Sequence, residues 1–377
     1  MPQSAASVDK SDIDGIELTD ASAYVPDEPE EAPQPEDTAL NTSNSYEFPS
    51  ILKISQSPHI KSSDSTSQIM IDVFISLIPA FIWGVYIFGT RALLIGALSV
   101  GSAILFEYLF QRLRGKKNTV GDFSAAVTGL LLAMNLSSAV PYWIPIVGSF
   151  FAVVVVKGLF GGLGKNIVNP ALAARVFLFA WPAEMNLFTA PGDRAGIISK
   201  TADMVASATP LSQIKTTGAL DASLYDLIIG NVGGCIGEVS ALCLMIGGVY
   251  LLMRRVITWH IPAAYIGTVA VISIIFPRLD MPLWENVLTE VFSGGVIICA
   301  FFMATDYVTS PITWKGKLIF GFGCGVITML IRYFGGFSEG ASFSVLIMNL
   351  LVWYIDRFTM PKPFGSKGGK VKNVKEK

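Results

Sequence analysis

Histidine is nearly missing from this chain. Its 377 residues include two, His59 and His260, and both flank apolar stretches. That argues against a histidine-built metal centre. Cysteine is scarce as well. Cys235, Cys243, Cys299 and Cys324 all lie in apolar segments, with no Cys-x-x-Cys spacing. They read as small packing residues, with a cluster ligand shared with a partner protein as the alternative. Charge is the third shortage: charged residues make up 15%, against about 25% in soluble domains. No nucleophile–base pattern stands out. Gly161-Gly162-Leu163-Gly164-Lys165 lacks the spacing and preceding strand of a phosphate-binding loop. It reads as helix packing or a helix break. The basic residues do not form a folded basic domain, so nucleic acid is not an expected partner.

What is present is apolar sequence, 52% of residues, with a mean hydropathy of +0.55. Water cannot accommodate that much apolar surface on one folded chain, whereas a bilayer can. The expected fold class is all-α: a polytopic membrane protein with about ten spans. The apolar segments run at about 70–89, 92–111, 120–136, 142–160, 167–182, 227–253, 257–277, 288–304, 317–334 and 341–356, each judged against a span of roughly 20 residues. Asn169-Pro170 reads as an N-cap followed by a first-turn proline. The first fifty residues hold twelve acids and one base, Lys10, and the last sixteen hold six lysines. Residues 1–50 form an expected acidic, disordered extension, and 359–377 a basic tail. Between them lie a first membrane repeat at 51–182, a loop at 183–226, and a second repeat at 227–358. With the N-terminus in the cytoplasm, Arg112, Lys116, Lys165 and Arg254 fall on the inner side, as the positive-inside rule asks. Both tails are then cytoplasmic, the 183–226 loop is outside, and the lysine tail serves as a topological anchor or touches anionic lipid.

The halves echo each other. Phe123-Ser124-Ala125-Ala126-Val127 matches Phe292-Ser293-Gly294-Gly295-Val296, with Met134 and Met303 at the same offset. Gly161-Gly162-Leu163 matches Gly335-Gly336-Phe337. Five spans per half is odd, so the second half is expected to run inverted. Such repeats place functional sites at their mutual interface, often at interrupted helices.

Thr209 is the focus of the outer loop. Pro210 pushes it towards extended backbone, with Asp203, Ser207 and Ala208 as its setting. Taken alone, those residues are an ordinary loop. The wider series changes the reading. Ser57-Pro58-His59 leads into the first span, and Asn169-Pro170-Ala171 and Ala174-Arg175 follow. The second half adds Met303-Ala304-Thr305-Asp306, Arg332-Tyr333, Glu339-Gly340 and Met348-Asn349. In this order they resemble the RnfD/NqrB family, and within it the RnfD branch, which belongs to the Rnf electron-transport complex. The NqrB branch belongs to the sodium-pumping NADH:quinone reductase. The resemblance spans about residues 51–358. It implies FMN joined through its phosphate to Thr209 and a prokaryotic inner membrane as the location, and it allows a second, non-covalent flavin, riboflavin, at Gly161–Lys165. It further implies partner subunits bearing flavin and iron–sulfur centres, and a flavin transferase for maturation. The family motif is Ser/Thr-Gly-Ala-Thr, whereas this chain reads Ala206-Ser207-Ala208-Thr209, with serine in the glycine position. Asn169 and Arg175 join the expected flavin contacts. Arg175 either meets an anionic flavin or bonds loop carbonyls.

Glu107, Glu238 and Asp306 fall in or near spans, where charges are expensive and usually face partners or a pathway. They are candidates for a sodium or proton route. The alternatives are structural pairs: Glu107 or Glu238 with Arg112 or Lys157, and Asp306 with Lys315. The function expected from all this is a membrane subunit of an ion-translocating oxidoreductase, not catalytic alone. Two other readings fit the spans equally well, a cofactor-free transporter or channel and a structural anchor for other subunits.

Overall fold

A computed structural model describes residues 65–115, 119–192, 194, 196 and 207–361, all within one compact unit, Ser62–Lys377. Helices dominate. In chain order they are α1 (Thr66–Phe88), α2 (Thr90–Leu113), α3 (Ser124–Met134) and α4 (Trp143–Phe150), which continues as π-helical turns over Phe151–Gly158. Then come α5 (Pro170–Leu178), α6 (Pro182–Met185), α7 (Pro210–Thr217), α8 (Leu224–Ile229), α9 (Ala241–Met253), α10 (His260–Ile275) and α11 (Leu283–Phe292). The last are α12 (Val296–Ile298), extended by π-helical turns over Cys299–Met303, α13 (Trp314–Phe334) and α14 (Ala341–Thr359).

The chain is a polytopic helical membrane protein. Among the described residues, four helices are long and apolar enough to cross a bilayer alone, namely α1, α2, α13 and α14, and the bent α11–α12 pair makes a fifth. All ten expected apolar segments contain helix, but α3, α4, α9 and α10 are shorter apolar helices, and α5 has nine residues. Local caps explain several starts. Ser65 and Gln68 form a reciprocal capping box at α1, which satisfies donors that helix geometry leaves free. Asn169 Oδ1 accepts from Ala171 N at 3.0 Å and Leu172 N at 3.3 Å, with Pro170 at the first helical position, as the sequence suggested. Thr313 caps α13 through Gly316 N at 3.0 Å, so that helix starts three residues before the apolar run.

The 227–253 segment is not one helix. α8 stops at Gly230, whose φ of 103° suits glycine, and α9 starts only at Ala241. Between them the chain runs past the end of α3: Ile236 N donates to Leu136 O at 2.9 Å and Gly237 N to Met134 O at 2.8 Å. A Cβ on Gly237 would lie 2.4 Å from Met134 Cβ, so glycine permits this approach. The eighth segment also breaks, with a 62° bend between α11 and Val296–Met303. α3 lies at the centre, buried at every residue. Ile82, Leu105, Ile246, Ile275 and Leu350 are exposed large apolar residues, which suits a lipid-facing surface.

The two halves use the same device at matching places. Phe123, with φ 62°, precedes α3, and Gly294, with φ 67°, precedes α12. Lys157 Nζ donates to Ser124 Oγ at 2.6 Å, and Arg332 Nη2 donates to Ser293 O at 2.9 Å. Ser124 and Ser293 are the positions that the sequence echo pairs. In each half, a basic residue from the fourth span holds the interruption of the third.

Candidate functional site

Thr209 is the N-cap of α7, with extended backbone at φ −68° and ψ 154°, as Pro210 requires. Its Oγ1 accepts from Ser212 N at 3.2 Å. α7 is pinned from two sides. Leu211 and Ile214 bury against Leu279, and Lys215 Nζ donates to Gly335 O at 2.5 Å and Phe337 O at 2.9 Å. Ser207 N donates to Phe188 O at 2.9 Å. A Cβ on Gly233 would lie 3.0 Å from Ser207 Oγ, so the serine in the motif's glycine position fits beside a glycine of another segment. Ala208 is exposed. Asp203 lies outside the described residues.

Thr209 stands on the wall of a cavity of about 560 Å³, within the roughly 300–1,000 Å³ typical of small-molecule sites. Its lining comes from both repeats and from the connecting segment: Asn135, Arg175, Cys235, Glu238, Ser293 and Glu339 contribute, with Lys215 on the Thr209 side. Arg175 Nη1 donates to Asn135 Oδ1 at 2.6 Å and to Glu238 Oε1 at 2.8 Å, while Nη2 reaches Cys235 Sγ at 3.5 Å. Its Nε is buried without a hydrogen-bond partner, as is Ser293 Oγ. Glu339 Oε1 accepts from Gly295 N at 2.7 Å and from Arg332 Nη2 at 3.4 Å. Burial, and then the nearby negative charge of Glu238, push the Glu339 carboxyl up to about 7.

These residues could hold a phosphorylated cofactor. A phosphate ester on the N-cap oxygen would fall at the start of an eight-residue helix, where the helix dipole favours anions. Lys215 borders the same cavity, and two buried polar atoms of its lining have no partner.

The structure separates the other expected residues. Asn169 and Asp306 border a second cavity of about 90 Å³. It lies at the opposite end of α5 from the Thr209 cavity, so Asn169 is not beside Thr209. Asp306 accepts from Val308 N at 3.4 Å and Thr309 Oγ1 at 3.2 Å. Lys315 instead lies over the Trp314 ring, so the interfacial Asp306–Lys315 pair is absent. Glu107 pairs with Lys157 at 2.9 Å beside a third cavity of about 280 Å³ that includes Gly161 and Gly162. Neither space near the Gly161–Lys165 stretch reaches the volume range of the first. Glu238 pairs with Arg175 at 2.8 Å, rather than with Arg112 or Lys157.

Three participants carry no mark in the sequence. Asn135 and Cys235 look like packing residues in apolar segments. Lys215 lies six residues beyond Thr209, but only the helix at 210–217 turns it towards the 335–337 loop.

The match to known proteins covers the same residues. The family model for the NQR2, RnfD, RnfE family matches residues 53–365. The chain belongs to the NQR2, RnfD, RnfE family. Curated relatives within it include the D subunit of a Na(+)-translocating ferredoxin:NAD(+) oxidoreductase complex from Acetobacterium woodii. That protein is 46% identical over 319 residues, covering 83% of this chain and 95% of the relative. The D subunit of a proton-translocating ferredoxin:NAD(+) oxidoreductase complex from Clostridium ljungdahlii is 38% identical over 327 residues, 84% of this chain and 97% of its own length. The D subunit of an ion-translocating oxidoreductase complex from Halorhodospira halophila is 35% identical over 335 residues, 82% and 94%. Relatives of this NQR2, RnfD, RnfE family member are thus subunits of ion-translocating oxidoreductase complexes. Their names differ in the ion moved.

Proposed function

We propose that the chain is the D subunit, a membrane component, of an ion-translocating ferredoxin:NAD oxidoreductase complex. It carries FMN as a phosphate ester on Thr209 Oγ1 and couples electron passage to sodium or proton movement. The observation that carries this reading is the placement of Thr209 as a helix N-cap on the wall of a 560 Å³ cavity whose lining includes Arg175. When bound, FMN supplies one- and two-electron transfer. The chain's own residues do the holding. Thr209 tethers, the start of α7 and Lys215 favour the phosphate, and Arg175 with Asn135 offers polar contacts to the ring system. The tether keeps the cofactor at high local concentration. The proposal takes in only the covalent flavin, because the spaces near Gly161–Lys165 are small.

Both termini face the cytoplasm and the Thr209 cavity faces outward, since that orientation leaves most loop lysines and arginines inside. Glu238 borders the outer cavity and Asp306 the inner one, so these two carboxylates flank the interrupted helices from opposite sides. Glu107, paired with Lys157, supports the inner break. Partners are the other subunits of the complex, membrane lipid, and a flavin transferase that loads Thr209.

The test is in-gel flavin fluorescence of the denatured chain after co-expression with its flavin transferase. Thr209→Val abolishes the band while the chain still inserts, and Thr209→Ser keeps it. A band of undiminished intensity in Thr209→Val refutes the attachment site. A colourless wild-type chain favours a cofactor-free transporter.

A further inference from the structure

Glu339 stands where three parts of the outer cavity meet. It lies in the turn between α13 and α14, with its side chain 16% exposed. Its Oε1 accepts from Gly295 N at 2.7 Å, at the start of the second half of the eighth span. The same oxygen accepts from Arg332 Nη2 at 3.4 Å. Arg332 also donates to Glu290 O at 2.6 Å and Ser293 O at 2.9 Å, on the other side of the break. One carboxylate and one guanidinium therefore hold both sides of the interruption. Gly294, at φ 67°, leaves the space that Glu339 occupies: a Cβ there would lie 2.3 Å from Oε2. The Glu339 turn is also tied to the Thr209 helix, because Lys215 donates to the carbonyls of Gly335 and Phe337.

The groups that act on Glu339 come from several elements. Arg332 faces it from α13, Glu238 from the segment before α9, and Arg175 from α5. Gly295 N faces it from the break. Cys235 and Cys299 feel its charge in turn. Arg332 is shared with Glu290, which Arg278 also meets at 3.4 Å, and Lys215 holds the turn from α7. The carboxyl is held up to about 7, by burial first and Glu238 second, against the pull of Arg332 and Arg175. It is therefore mostly protonated below neutral pH and charged above it.

We infer that Glu339 is a positioning residue that takes up one proton when an electron enters the outer cavity, and so passes the cavity's charge state to the break in the eighth span. The inference rests on the covalent flavin proposed at Thr209. The balance is one for one. A reduced iron–sulfur donor of the ferredoxin class is oxidised by one electron, and the flavin is reduced by that electron. One proton leaves the outer water and forms an O–H bond on Glu339, so the cavity's net charge is unchanged. A neutral carboxyl holds Gly295 N and Arg332 less tightly, because charge-assisted hydrogen bonds are roughly twice as strong as neutral ones. The interruption then loosens when the electron arrives and tightens when it leaves.

The experiment is a potentiometric titration of the covalent flavin in the intact complex, followed by absorbance at several pH values. In wild type, Glu339 contributes nothing to the pH dependence below its own titration near 7, because it is already protonated. Above that point the flavin potential falls with rising pH, by up to one proton per electron from this group. Glu339→Gln keeps an oxygen for Gly295 N and loses that component. Glu339→Asp restores it, displaced along the pH axis. A purely structural role would lower flavin yield or assembly and leave the pH dependence in place. Identical pH profiles in wild type and Glu339→Gln overturn the inference. If Glu339→Gln does not assemble, a Glu339→Asp profile superimposable on wild type overturns it equally. A flavin band on the denatured wild-type chain with unaltered profiles sinks this inference alone, whereas no band sinks the attachment at Thr209 and this inference with it.

Discussion

Arg175→Met is the most demanding perturbation of the cavity lining. The pair it breaks is deeply buried, with side-chain exposures of 6% for Arg175 and 8% for Glu238. Methionine keeps most of the length and removes the charge. Glu238 is then a buried carboxylate without its counter-ion, and Asn135 Oδ1 loses a 2.6 Å donor. Stranding one member of a buried pair costs about 3–5 kcal/mol, or two to three and a half powers of ten in the folded fraction at about 1.4 kcal/mol per tenfold. Glu238→Gln is milder, because an amide oxygen still accepts from Arg175 and Glu339 remains as a nearby negative group for the guanidinium. We expect it to cost about 0.5–1.5 kcal/mol, a typical net hydrogen bond. The double variant strands no carboxylate, so its cost should fall short of the sum by about 2 kcal/mol, within the range for contacting residues. The assay is reversible unfolding in mixed micelles, followed by tryptophan fluorescence. It is run on flavin-free chains so that ligand binding does not add its own stabilisation. Arg175→Met within about 1 kcal/mol of wild type, or strictly additive single costs, would refute the reasoning.

Two further outcomes follow from other parts of the fold. Gly237→Ala puts a Cβ 2.4 Å from Met134 Cβ and should cost about 1–3 kcal/mol of overpacking strain, measured in the same micelle titration; Gly234→Ala, where a Cβ meets nothing within 4 Å, serves as the control. Asp226 caps α8 and is held below the usual carboxylate range by the Ser223 hydroxyl first and Asn231 second. Its stabilisation is present above the unfolded value of about 3.9 and is lost as pH falls through the lower folded value. Amide exchange at Leu227 and Gly230 should therefore accelerate only in acid, and Asp226→Asn should show that loss of protection already at neutral pH.

The all-helical, multi-pass character is legible because apolar length alone dictates it, and each of the ten apolar segments contains helix. What periodicity does not reveal is continuity. Gly230 and Gly237 interrupt the sixth segment because the chain must pass close to Met134, a contact across more than a hundred residues. Ser293-Gly294 interrupts the eighth because Glu339 and Arg332 hold its two ends apart. The repeat echo does mark the right place, since Ser124 and Ser293 are the residues their basic partners grip. Arg175 stands out in the sequence, yet its partners come from two separate segments that only the fold assembles, Asn135 from one and Cys235 with Glu238 from the other. Lys215 and Glu339 are in plain view, but a lone charge in a polar loop carries no address until the helix and turn around it are built. Asn169 groups with Thr209 in the sequence although α5 separates them by its whole length, because sequence order does not say which end of a helix a cavity adjoins.

The most direct measurement is the mass of the peptide covering residues 201–215, taken from chain matured in cells that contain its flavin transferase. The account predicts that this peptide carries one FMN in phosphate ester linkage, with fragmentation placing it on Thr209. A peptide recovered only at its unmodified mass, or with the flavin on a different residue, would contradict it.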